Sequence, residues 1–149
     1  MKKHLLLLAW LLAGVLSCYK APQKEDIPDE HLYIGTVSVD FEGSTFDNES
    51  IYVACVPSED GSSADIVIYR IKFVPRMPVR IDVTIPGVQL RESGSKTLLS
   101  CDEVNPLAMG GEYPKYRVSG LEGSLTGNEL SFSLYFGDCP TRFTGFALR

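Results

Sequence analysis

Few residues of this chain could do covalent or acid–base chemistry. There are four cysteines, Cys18, Cys55, Cys101 and Cys139, and two histidines, His4 and His31. Nucleophilic catalysis by a Ser-His-Asp or Cys-His set needs a histidine base. His31 is the one candidate past the start of the chain, and a solvated residue at the head of the first strand is the better reading. Paired carboxylates can act as acid and base in glycoside hydrolysis. Asp65 and Asp82 fall on alternating strand patterns, while Glu59-Asp60 and Asp102-Glu103 fall in turns. Solvated surface charge accounts for all of them. There is no CxxC pair, Cys/His cluster, phosphate-binding glycine loop or dense acidic calcium loop. The expectation is a non-catalytic chain with no metal and no cofactor.

Cys18 stands apart because of what precedes it. Met1-Lys2-Lys3-His4 is a short basic start, and Leu5 to Leu16 is an uncharged run of twelve residues. A bilayer span needs about 20 apolar residues, so this run is a secretion signal rather than a membrane helix. Val15-Leu16-Ser17-Cys18 resembles the bacterial lipobox. That resemblance implies cleavage after residue 17 and a diacylglyceryl group on the Cys18 sulfur, with further acylation as in palmitate-bearing anchors. Two or more acyl chains hold a protein stably on a membrane that it does not span. The expected location is the bacterial cell envelope, at the outer membrane, on its periplasmic or surface face.

Residues 18–30 carry Pro22, Pro28 and several charges without apolar periodicity, and they read as an extended tether. Lys24-Glu25-Asp26 is similar to the charged export signals of some surface lipoproteins of Bacteroidota. Removing residues 1–17 leaves 132 residues, enough for one domain with its own core. Without Lys2 and Lys3 the 14 basic residues become 12 against 19 acidic ones, a net charge of −7. That argues against nucleic acid as a partner, since its affinity comes largely from phosphate contacts by Lys and Arg. It also argues against electrostatic attachment to anionic lipid.

From residue 31 to 149 the pattern is short apolar alternation broken by turns. Tyr33, Gly35, Val37, Val39 and Phe41 share one face of a first strand. Residues 42–50 read as a loop, Ile51 to Val56 as a second strand and Ala64 to Phe73 as a third. Val79, Ile81, Val83 and Ile85 alternate with Arg80, Asp82 and Thr84 as a fourth strand, which Pro86-Gly87 bends or ends. Thr97 to Cys101 is a fifth, followed by a long loop from 102 to 113. Arg117 to Leu125 and Leu130 to Phe136 flank a Gly127-Asn128 hairpin turn, and Thr141 to Arg149 is the last strand. The expected fold is all-β: an eight-stranded up-and-down antiparallel barrel, with a two-layer β-sandwich as the alternative.

The chain also resembles the calycin-like β-barrel lipoproteins of Bacteroidota. The likeness rests on Tyr33-x-Gly35-x-Val37-x-Val39, Met77-Pro78-Val79, Ile85-Pro86-Gly87-Val88, Gly120-Leu121-x-Gly123-x-Leu125 and Gly127-Asn128 into Leu130-x-Phe132. It implies the barrel shape of lipocalins and fatty-acid-binding proteins. The Gly-x-Trp of true lipocalins is missing, because Val37 stands where tryptophan would, so no lipocalin ligand is implied.

A barrel of eight strands either fills with side chains or holds one small ligand. Tyr33, Val37, Val39, Val83, Ile85, Phe132 and Leu134 would line that interior. One expectation is therefore a pocket for a small apolar ligand. The other is a filled core that meets a cell-envelope protein through loops such as 102–113.

Export permits a disulfide. If the strands run up and down in chain order, Cys101 and Cys139 share one end of the barrel with one strand between them. This points to a Cys101–Cys139 bridge and leaves Cys55 as a buried thiol. Cys55 paired with either partner, or no bridge at all, are the alternatives.

Overall fold

The computed structural model describes residues 22–148. The leader, Cys18 and the first residues of the tether lie outside the described residues. Ten strands follow in chain order: β1 (Leu32–Phe41), β2 (Ser44–Pro57), β3 (Ser63–Ile71), β4 (Ile81–Ser93), β5 (Lys96–Val104), β6 (Leu107–Ala108), β7 (Gly111–Glu112), β8 (Val118–Thr126), β9 (Glu129–Phe136) and β10 (Cys139–Ala147). The eight long strands lie in the order β3-β2-β1-β10-β9-β8-β5-β4, and β4 pairs back onto β3. The result is a closed antiparallel up-and-down β-barrel, and the sandwich alternative falls. β6 and β7 form a small hairpin tied to β4 through Thr84 opposite Leu107.

Antiparallel pairing sorts the connections onto two ends. The turn at 42–43, the loops at 72–80 and 105–117 and the turn at 137–138 share one end. The loop at 58–62 and the turns at 94–95 and 127–128 share the other.

Alternation alone would not close this sheet, because each strand must also coil. Four bulges supply the coiling. The register slips between Gly35 and Val37 on β1, between Ile68 and Ile71 on β3, between Ala64 and Ile66 opposite β4, and between Ser119 and Glu122 on β8. At each slip one residue has positive φ: Ser50, Arg70, Gly87 and Gly120. The next residue in each case, Ile51, Ile71, Val88 or Leu121, returns to the buried face. Gly87 shows why a Pro-Gly pair need not end a strand. Pro86 cannot donate to the ladder, and Gly87 takes the left-handed conformation at φ 67°, so β4 continues to Ser93.

These slips explain two differences from the sequence reading and settle one alternative. Residues 44–50, expected as a loop, are the first half of β2. At Pro86-Gly87 the fourth strand bends and does not end, the first of the two alternatives. Val79, expected on the buried face of that strand, lies before β4 and is 57% exposed. A further difference concerns residues 22–31, of which 22–30 were read as part of an extended tether and His31 as the head of the first strand. They make two 3-10 turns, Lys24–Asp26 and Asp29–His31, and lie along the outer wall of the barrel. There Ile27 packs against a separate outside cluster of Leu32, Ala54, Val67 and Tyr69.

One continuous core fills the inside. It includes Val37, Val53, Ile66, Ile68, Ile85, Leu121, Phe136 and Phe143, each no more than 1% exposed. Gly35 and Gly145 face each other across β1 and β10. A Cβ on Gly35 would stand 2.0 Å from the Thr144 carbonyl oxygen, and one on Gly145 would stand 2.5 Å from the end of the Phe143 ring. The two strands therefore approach where neither has a side chain, and Phe143 covers the gap.

The facing of β9 can be checked by substitution. Phe132→Ala should cost roughly 3–5 kcal/mol, the range for a buried aromatic truncation. Ser133→Ala, on the outer face of the same strand, should cost under about 0.5 kcal/mol. Denaturant titration that gave equal losses would reverse the facing of β9.

Candidate functional site

All seven residues expected to line a pocket point into the barrel and are buried. Val37, Val39, Val83 and Ile85 are 0% exposed, Leu134 2%, and Tyr33 and Phe132 4%. They belong to one packed cluster. Phe132 and Phe143 meet with ring centroids 5.3 Å apart, and their rings occupy the volume left by the glycines of β1 and β10.

The end that carries the longest loops is plugged by aromatic residues. Phe73, 0% exposed, stacks on Tyr116 with centroids 4.0 Å apart and meets Phe136 edge-on at 4.7 Å. Tyr113 lies 5.4 Å from Tyr116. Two loops thus meet over the barrel mouth, 72–80 bringing Phe73 and 105–117 bringing Tyr113 and Tyr116. Asn48 secures the first of them. It is 2% exposed, and its amide nitrogen donates to the carbonyls of Lys72 at 3.0 Å and Val37 at 3.4 Å. Its amide oxygen accepts from the Lys72 backbone N–H at 3.0 Å. A buried amide spanning β1, β2 and the loop fixes all three, because breaking it would strand unpaired polar groups. The sequence reading placed Phe73 in a strand, left Tyr113 at the end of the 102–113 loop and did not assign Tyr116. Two tyrosines flanking a proline in a long loop were the available signal.

None of the seven expected lining residues borders either of two open clefts on the outside of the described residues. The larger, about 700 Å³, lies between the N-terminal segment and the outer wall. Gln23, Lys24, Tyr52, Tyr69, Arg70 and Arg80 are among its borders. The smaller, about 610 Å³, follows β4, β5 and β8.

Five of the residues considered for acid–base chemistry, Asp82, Asp65, Asp60, Glu103 and His31, have structural contacts. The Asp82 carboxylate accepts from the Arg70 backbone N–H at 2.9 Å, and the Asp65 carboxylate accepts from the Gly87 backbone N–H at 3.0 Å. Each satisfies the bulge directly opposite it. The Asp60 carboxyl is held down to about 2 by the Ser62 backbone N–H and then by the Ser58 and Ser62 hydroxyls, which close the 58–62 loop. Glu103 pairs with Arg117 at 3.0 Å, and His31 stands 3.5 Å from Glu30. Among the described residues no three His, Cys, Asp or Glu side chains gather as a metal site.

The Cys101–Cys139 bridge is not formed. Cys55, Cys101 and Cys139 are all free, and no pair is at bonding distance. The two partners do lie toward the same plugged end. However, Cys101 is within β5 and Cys139 opens β10, so both β8 and β9 stand between them. Three strand spacings make roughly 14 Å around the wall, against the 4–7 Å or so that a bridge spans.

Comparison of the chain with protein-family models, with curated proteins and with solved structures gave no match.

Two expected outcomes follow from these contacts. Asp82→Ala leaves the Arg70 N–H without its acceptor, and it should cost about 1 kcal/mol in denaturant titration. An unchanged midpoint would mean that solvent replaces the carboxylate freely. The Cys55 thiol, 7% exposed, is pushed by burial up to about 11 from its ordinary 9. The folded state therefore prefers the neutral thiol. Its contribution is complete below pH 9 and declines toward pH 11, at about 1.4 kcal/mol per pH unit. Alkylation at pH 8 should modify Cys101 and Cys139 before Cys55, and Cys55→Ala should flatten the loss of stability between pH 9 and 11. Early modification of Cys55 would contradict both statements.

Proposed function

We propose that this chain is the precursor of an exported bacterial lipoprotein whose barrel is a filled, non-catalytic interaction module. Residues 1–17 act as the signal, and acylated Cys18 holds the protein at the outer membrane. The outer surface and loops engage a partner protein of the cell envelope. Support for the anchor comes from the basic start, the uncharged run and Val15-Leu16-Ser17-Cys18. The resemblance to the calycin-like lipoproteins of Bacteroidota supports the pairing of such an anchor with such a barrel.

The observation that carries the reading is the occupied interior. Phe132, Phe143 and Phe136 fill the barrel, and Phe73 and Tyr116 close one mouth. A small apolar ligand, the other use of an eight-stranded barrel, would have to displace several of these rings. Each aromatic pair is worth about 0.5–1.5 kcal/mol beyond the area that it buries. The ligand's own burial would have to exceed that loss.

Two measurements test the proposal. Cys18→Ser should accumulate as an unprocessed precursor that does not fractionate with membranes; normal processing and attachment would remove the lipoprotein reading. Native mass spectrometry of the protein purified from its own cells should show the barrel free of small molecules and in complex with a second protein. A stoichiometric small molecule that survives purification would replace the filled-core reading with a carrier.

A further inference from the structure

The N-terminal segment does not hang free. The Tyr69 hydroxyl donates to the Pro22 carbonyl at 3.0 Å, the Lys24 ammonium lies 4.0 Å from the centre of the Tyr52 ring, and Ile27 fills the outside cluster. From His31 the segment runs back along the outside of β2 and β3 to the cleft bordered by Arg70 and Arg80. Pro22 is only four residues on from Cys18. At full extension four residues reach about 14 Å, whereas thirteen residues from Cys18 to His31 would reach about 47 Å. If Cys18 carries the anchor, the wall beside Pro22 lies close to the lipid.

That wall is where the charge of the protein reverses. Residues 70–80 carry Arg70, Lys72, Arg76 and Arg80 and no acidic residue. The mature chain has a net charge of −7, so everything outside this segment sums to −11. Acidic groups do face the segment. Asp82 is bonded to the Arg70 backbone, Glu42 stands 3.8 Å from Arg76, and Glu25 and Glu49 border the cleft. No carboxylate lies within ion-pair distance of Arg70 or Arg80 among the described residues. Beside them Val79 projects 57% exposed between Pro78 and Arg80, an apolar tip on a basic loop.

We infer that residues 70–80, with Gln23–Glu25 beside them, form the face that this protein turns to the phosphate headgroups of its own membrane. The inference rests on the proposed anchor at Cys18. Anchoring comes from the acyl chains, and the basic segment sets orientation. Cationic side chains are drawn to an anionic surface within a Debye length of about 8 Å, while the remaining −11 is repelled from it. A short lead and a one-sided charge distribution together lay the barrel against the bilayer. The far-end turns at 94–95 and 127–128 are left pointing to the aqueous side.

The test uses the full lipidated chain in phosphatidylethanolamine–phosphatidylglycerol vesicles doped with a phospholipid bearing a photoactivatable headgroup. Adducts are mapped by mass spectrometry. They should fall on residues 22–25 and 70–80 at least about fivefold more often than on the far-end turns, the contrast expected when contact is confined to a Debye length. Arg70→Glu with Arg76→Glu should abolish that preference while the protein still floats with the vesicles. Ile27→Asp, which unseats the segment from outside the barrel, should spread the adducts widely. Flotation with evenly distributed adducts, adducts confined to the far-end turns, or a charge-reversed variant that keeps the wild-type pattern would each overturn the orientation alone. A wild-type chain that does not float would overturn the anchor and the orientation together.

Discussion

A barrel of eight strands is free of sheet edges only while every neighbouring pair holds, and the pair most interrupted here is that of β3 with β4. The pair carries two bulges, at Arg70 and at Gly87, and each strand supplies an aspartate to the bulge of the other. Asp82 accepts the N–H that Arg70 displaces from the ladder, and Asp65 accepts that of Gly87. Without these acceptors the coiled regions would each leave a donor unpaired. An open β3–β4 seam would expose two strand edges that invite association. The reciprocal aspartates therefore govern more than their own turns. They let the sheet bend sharply enough to close at eight strands, and closure at eight fixes the width of the interior.

An interior of that width admits a single layer of side chains, and this sequence supplies large ones. Where β1 and β10 approach through Gly35 and Gly145, Phe143 lies over the gap and Phe132 lies against it. At one end Phe73 enters from the 72–80 loop and is held from outside by Tyr116. Asn48 ties the same loop to β1 and β2 by side-chain contacts that need the Glu49-Ser50 bulge to turn it inward. The plug, the buried amide and the bulge depend on one another, so the mouth cannot open without breaking polar as well as aromatic contacts.

The barrel was legible because its strands alternate. Leu130, Phe132, Leu134 and Phe136 mark one buried face without help from any other part of the chain. The bulges were harder to read because they interrupt that alternation. Ile68 to Ile71, Ile85 to Val88, Val118 to Leu121 and Asn48 to Ile51 are each three apart on the buried side. A period-two reading treats such a slip as an end, which is why the continuation of β4 past Pro86-Gly87 stayed open and β2 lost its polar first half. Read as bulges, the same slips would have carried both strands through. The seven interior residues were placed correctly for the same reason that strand facing was. Whether they enclose space depends on Phe73, Tyr113 and Tyr116, which reach the core from loops and follow no period. The cysteines failed differently: they share an end as expected, but pairing in space needs the number of strands between them, and Cys139 begins a strand rather than preceding it.

The outside of a barrel is normally polar, and here part of it is not. Leu32, Ala54, Val67 and Tyr69 form an apolar patch on the outer faces of β1 to β3, each no more than 7% exposed because residues 22–31 lie on them. Composition gives no sign of this, since half of Pro22 to His31 is charged and its one apolar side chain in the cluster is Ile27, with the Lys24 ammonium over the Tyr52 ring. The signal sits instead in the strands, where Leu32, Ala54 and Val67 occupy positions that alternation assigns to solvent. Apolar residues on both faces of neighbouring strands imply a second layer, and the one segment able to reach them is the chain that leads into β1. The folded unit therefore begins before the first strand. A lead that is part of the fold transmits orientation, whereas a free tether would only limit distance.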